Sequence, residues 1–168
     1  MERLDVKGFR SVKTDKILTT KQERDIIKGN SSLLRIPQVP SSDISKKISR
    51  GEYNTTLSKQ HYLKHIEGTP QYEQYKKDRI ARGDNPQSIL IIPEEVTQEI
   101  IVSKAGTGIV DVTRKGTPRN VEYITVNKYI GFYYGGGKYH KTKKAAIHYG
   151  KKKSHLVPIK GDFYDWYL

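Results

Sequence analysis

IHYGKKKSHLVP, residues 147–158, holds two short alternating runs on either side of a Gly-Lys-Lys-Lys turn. Apolar and polar residues that alternate beside turn residues read as paired strands. With residues 150–153 as a four-residue loop, Tyr149 stands opposite Ser154 and His148 opposite His155. Directly opposed residues point to one face, close enough to share a site. A slip of one residue turns the two histidines to opposite faces, and the sequence leaves that register open.

The period of two extends upstream. GIVDVTRKG (108–116) and VEYITVNKYIGFYYG (121–135) alternate in the same way, and Gly135-Gly136-Gly137 reads as a hairpin turn. Before Gly108 the signals are helical. PEEVTQEIIVSKAGTG (93–108) has Pro93 at its start, two acids in its first turn and Gly106 past its end. Two helical pieces flank Gly68-Thr69-Pro70. In the second, Tyr72, Tyr75, Arg79 and Ile80 recur at helical spacing, and SILII (88–92) follows as a short strand or apolar connector. Helices followed by strands predict an α+β fold with an antiparallel sheet, one face packed on helices and the other open to a ligand. Residues 1–55 read as an N-terminal appendage or linker, with one helix signalled at Thr20 and another from Ser42. Residues 56–168 read as the main domain with an aromatic tail, DFYDWYL.

The 168 residues contain no cysteine, which excludes disulfides, thiolate metal sites and cysteine nucleophiles. No apolar run approaches the roughly 20 residues of a membrane helix, and the start has no hydrophobic signal region, so no membrane-spanning segment is expected. Tyrosines number 12, enough to build a core where aliphatic side chains are few. The net charge is +13, and its placement is uneven. Residues 105–160 hold 12 lysines and arginines against 2 acids, so an anionic partner is expected for that third of the chain.

The five histidines are His61, His65, His140, His148 and His155. His61 and His65 form H-x-x-x-H, a metal-pair spacing on a helix. The zinc-protease pattern needs a glutamate after the first histidine, where Tyr62 stands, and no metal site is predicted. Histidine also serves metal-free acid–base chemistry because it titrates near neutral pH. Cleaving RNA through its own 2′-hydroxyl needs a base, an acid and cations to stabilise the phosphorane. Histidines among lysines supply those groups; histidines that contact phosphate without catalysis remain open beside this reading.

KQHYLKHIEGTPQYEQY (59–75), KAGTGIV (104–110) and AAIHYGKKKSHLVP (145–158), in that order, resemble the bacterial toxin 50 (polymorphic toxin type 50) family. The resemblance runs from about Ser58 to Lys160. It implies a metal-independent ribonuclease placed among the barnase/EndoU/colicin/RelE-like nuclease folds, with helices joined to a four-stranded antiparallel sheet. Such domains are often found at the C-termini of phage minor head (MuF-like) proteins. The sequence departs from the family pattern by two extra residues between Gln60 and Lys64, and Gly150 stands where a serine is common.

The combined expectation is an endoribonuclease effector of toxin type with a cytoplasmic site of action, either virion-associated or delivered into a target cell, and needing no cofactor. His65 and His155 are the expected acid–base pair, with His148 as the third catalytic candidate and His61 outside the motif. Lys59, Gln60, Lys64, Thr107, Lys143, Lys151, Lys152, Lys153 and Ser154 are the expected RNA- and phosphate-binding residues. The expected partners are RNA, an immunity protein or inhibitor, and a phage head. The alternatives are a non-enzymatic nucleic-acid-binding phage protein and a protein-interaction module.

Overall fold

The computed structural model describes residues 3–4, 8–9, 38–41 and 43–161. The helix signalled at Thr20 and the aromatic tail lie outside them. The chain divides into two units. The first includes the antiparallel pair β1 (Arg3–Leu4) and β2 (Gly8–Phe9). The second runs from Gln38 to Gly161 and carries everything that follows.

Four helices occur among the described residues of this second unit. α1 (Ile44–Ser49) follows strand β3 (Gln38–Pro40) and buries Ile44. α2 (Lys59–Leu63) starts at Ser58, whose hydroxyl accepts the His61 N–H as an N-cap. α3 (Pro70–Ala81) starts the same way, with Thr69 capping the Tyr72 N–H and Pro70 at the first turn. It ends near Gly83, whose φ of +83° suits glycine. After the short strand β4 (Ile89–Leu90), α4 (Glu94–Lys104) buries Thr97, Ile100 and Ile101 and stops before Gly106 at φ +85°. Pro93 is its cap rather than its first helical residue.

The strands β5 (Ile109–Val112), β6 (Pro118–Thr125), β7 (Gly131–Gly135), β8 (Lys138–Thr142), β9 (Lys144–His148) and β10 (His155–Pro158) complete the unit. They form two antiparallel sheets, where four strands in one sheet were expected. The larger has five strands in the order β10-β9-β6-β5-β3, and the smaller has three, β4-β7-β8. The fifth strand comes from Gln38–Pro40, which the Pro/Ser-rich composition disguised as linker. It pairs Val39 with Val110 at the sheet edge, a place where Pro40 costs no central ladder bond. The alternating run 121–135 is split between the two sheets, because the chain leaves the first at Thr125 and enters the second at Gly131. Gly136 and Gly137, at φ +62° and +84°, form the two-residue turn between β7 and β8.

The hairpin β9–β10 takes the register with His155 opposite His148. Its inner face supplies Ala145, Ile147 and Leu156 to a core shared with Ile101, Val110 and Ile130.

Candidate active site

Ser154 ties the segment before α2 to the hairpin, together with the Asn54 N–H on the Gly150 carbonyl, and Gln98 holds the same segment at Thr55 and Leu57. The Ser154 side chain is fully buried; the hydroxyl donates to the Asn54 carbonyl at 2.5 Å and accepts the Gly150 N–H at 3.2 Å. Its backbone accepts from Ser58 N at 2.7 Å and donates to Thr56 O at 2.8 Å. Residues 54–58 are thus stitched to the hairpin loop, and α2 begins directly over β10. The ring of His61 consequently stacks on His155, with centroids 4.2 Å apart and planes 11° apart. His148 stacks on His155 at 4.8 Å and 6°. His155 is the middle ring of a three-imidazole stack.

His65 arrives from the turn after α2. Its backbone oxygen accepts from Leu90 N at 2.8 Å, and its Nδ1 lies 2.8 Å from the Ser88 carbonyl. A carbonyl only accepts, so Nδ1 carries the proton and Nε2 keeps its lone pair. At His61 the Ser58 hydroxyl, which accepts the helix N–H, lies 2.7 Å from Nδ1.

The four rings line one cavity of about 410 Å³ together with Lys64, Tyr75, Arg79, Gln87, Tyr133 and Tyr134. Two permanent cations line it and no carboxylate does. Arg79 is held by its Nε bond to the Asn85 carbonyl at 2.7 Å and by the Tyr75 hydroxyl at 3.3 Å. Gln87 is buried, and its Nε2 donates to the carbonyls of Lys64 and Tyr72. Its Oε1 is the buried side-chain acceptor that lacks a partner among the described residues. Among those residues no group of three or more histidines and acids is arranged to hold a metal ion. Parallel stacked rings do not aim their nitrogens at a common point.

Burial and mutual repulsion keep the imidazoles neutral. Burial is the main cause for His65, lowered to about 4, with Arg79 and the neighbouring histidines adding to it against the Ser88 bond. His155 is lowered to about 3, first by burial and then by His148, His61, His65 and Lys64. His148 and His61 are lowered too, in each case chiefly by burial. A negative charge placed beside these rings would act in the opposite direction.

The other expected residues are distributed differently. Gln60 lines a second cavity, which shares Lys64 with the first. Lys59 is exposed beside Glu94 at 3.8 Å. Lys151, Lys152 and Lys153 form the exposed hairpin loop, and Lys143 lies over the Tyr129 ring at 4.9 Å. Ser154 has used its hydroxyl in the clip. Thr107 is exposed and donates to the Lys104 carbonyl, outside the histidine cavity. Its two glycine neighbours are gripped from below by Glu122. The Glu122 carboxylate is fully buried and accepts from Gly106 N, Gly108 N, Ser41 Oγ and the Tyr149 hydroxyl at 2.6–3.0 Å.

His61 and Arg79 belong to the cavity as well. The H-x-x-x-H spacing pointed to His61 as a partner of His65. The stack on His155 was not legible, because it depends on the Ser154 clip across 100 residues of sequence.

The family model for bacterial toxin 50 matches residues 57–158, which includes all four cavity histidines. The chain belongs to the bacterial toxin 50 family. No curated protein and no solved structure matches the chain. Among its described residues no helix is long and apolar enough to cross a membrane.

Proposed function

We propose that this toxin is a metal-independent endoribonuclease that cleaves RNA by attack of a 2′-hydroxyl on the adjacent phosphate. The observation that carries the reading is the cavity: four imidazoles and two permanent cations around one space, with no carboxylate in its wall. Lys64 and Arg79 bind the scissile phosphate and stabilise the charge that develops on it. His65 is the base, because the Ser88 carbonyl holds its proton on Nδ1 and leaves Nε2 to take the proton of the 2′-hydroxyl. His155 is the acid. It gains its proton when the anion enters and gives it to the leaving 5′-oxygen. The 2′-oxygen forms its bond to phosphorus as the bond to the 5′-oxygen breaks, leaving a 2′,3′-cyclic phosphate. The imidazoles on either side of His155 hold its ring in place by stacking. Membership of the toxin family supports a protein partner that neutralises the activity.

The test is incubation with total RNA in EDTA, with product ends identified. Cleavage should persist and the ends should be 2′,3′-cyclic phosphates. Activity that disappears in EDTA and returns with zinc or magnesium would sink the mechanism. Tight, salt-sensitive binding without any cleavage would make the protein a nucleic-acid binder instead.

A further inference from the structure

We propose that the groove between α2 and α3 is a nucleobase subsite, one that selects an amino-bearing base beside the phosphate held in the histidine cavity. The proposal rests on the ribonuclease reading for its substrate.

The spacing of the α3 residues is the first argument. Gln71, Gln74, Tyr75 and Asp78 stand at i, i+3, i+4 and i+7, the stripe that on most helices is apolar and fills a seam with its neighbour. Here the stripe is polar. It faces Gln60 and Lys64, one turn apart at the start and end of α2, across a space of about 510 Å³. A seam between two helices has been left open and lined with amides.

The second argument is continuity. Lys64 and Tyr75 line both spaces, so a phosphate in one and a group attached to it in the other share a wall. A nucleotide has the same division. Its phosphate suits the cavity without acids, and its base, neutral and edged with donors and acceptors, suits the amides.

The third argument concerns which base. The Gln74 Nε2 donates to Asp78 Oδ1 at 2.9 Å. That bond fixes the amide and leaves Gln74 Oε1 and Asp78 Oδ2 as neighbouring acceptors. Acceptors side by side favour a base edge with an amino group, as carboxylates and amides do when they read base edges. Uracil, with carbonyls flanking its one N–H, is the poorest match.

The experiment titrates the full-length protein with each of the four nucleoside 3′-monophosphates, ribose 3-phosphate and inorganic phosphate. The same titrations are made on Gln74→Ala and Asp78→Asn, both at exposed positions where folding is not at stake. At least one amino-bearing monophosphate should bind about tenfold more tightly than the uridine compound and ribose 3-phosphate, since a well-made base contact is worth about 1–3 kcal/mol. Both variants should lose that preference and keep the affinity for inorganic phosphate. In parallel, cut sites are mapped in random-sequence RNA. A base preference in the wild type should flatten in both variants. Monophosphates that all bind like ribose phosphate, with cut-site profiles unchanged in the variants, would overturn the subsite and leave the ribonuclease reading standing. A base preference in binding that the variants abolish, with no cleavage by the wild type, would uphold the subsite and remove the cleavage reading.

Discussion

His155 has an imidazole on each face, so only the edge of its ring can meet a substrate. A ring confined in this way acts through its nitrogens alone, and its neighbours decide when those nitrogens hold a proton. His65→Ala and His155→Ala should each lower single-turnover cleavage by about 10²–10⁴-fold, the usual cost of losing a general acid or base, while RNA affinity changes little. His61→Ala removes one side of the stack and should lower the rate less than either, which the same assay measures. Full activity in both the His65 and His155 variants would remove the proposed pair. The lowered proton affinities make a second prediction, about stability. The unfolded chain binds protons on these rings from about pH 6.5 downward, whereas folded His65 does so only near 4 and His155 near 3. Between those limits the unfolded state holds more protons, so stability falls as the pH falls. Each factor of ten in proton affinity is about 1.4 kcal/mol, so buried His65 alone removes about 3 kcal/mol once the pH is below its folded value. Melting temperatures recorded from pH 7 to pH 4 should decline, and His65→Gln should flatten the decline. At this scale the sequence offered the pairing of His148 with His155 as one of two registers, which the structure resolves, and His65 entered through the family resemblance. Arg79 was legible only as part of a helix face, since the wall it completes forms when Asn85 and Tyr75 orient its guanidinium.

Among the elements, the turn from α4 into β5 depends on a side chain it does not contain. Glu122 on β6 collects the amides of Gly106 and Gly108, while the same carboxylate takes the hydroxyl of Tyr149, the residue after His148. A backbone that approaches this closely has no room for side chains, and a Cβ on Gly108 would run into the Tyr123 carbonyl oxygen. Glu122→Gln replaces an acceptor pair with an amide whose NH₂ faces donors. It should destabilise the fold by about 3 kcal/mol, the scale of a broken buried charged network, as read by urea denaturation. A loss under about 1 kcal/mol would mean that the carboxylate is not the clamp described. The sequence showed the helices, the hairpin β9–β10 and the glycine turn at 136–137, because caps, alternation and positive-φ glycines are local signals. It hid β3 and the division of the strands into two sheets. Pairing partners, which decide those features, lie far apart in the chain.

For the unit as a whole, five of its positive charges fall into two different arrangements. Lys64 and Arg79 are fixed in the cavity wall, whereas Lys151, Lys152 and Lys153 are exposed on the loop that leads into His155. Exposed lysines attract a polyanion over a distance and are screened by salt. Replacing the three together with Ala should weaken RNA binding and flatten its dependence on salt. The logarithmic slope should shrink by about 0.7 for each single-strand phosphate that a lysine no longer neutralises. Titrations at several salt concentrations measure both effects. An unchanged slope would make the loop a solvated turn.

Ser41 and β3 precede the matched segment 57–158, yet Ser41 donates to Glu122 and β3 closes the edge of β5. Where the domain is cut for transfer to another chain therefore matters. A graft joined at residue 57 leaves Glu122 a donor short and β5 with a naked edge, which invites pairing with other chains. One joined at residue 38 carries its own edge strand. The compact unit of this chain, Gln38 to Gly161, is therefore longer than the stretch that matches its family.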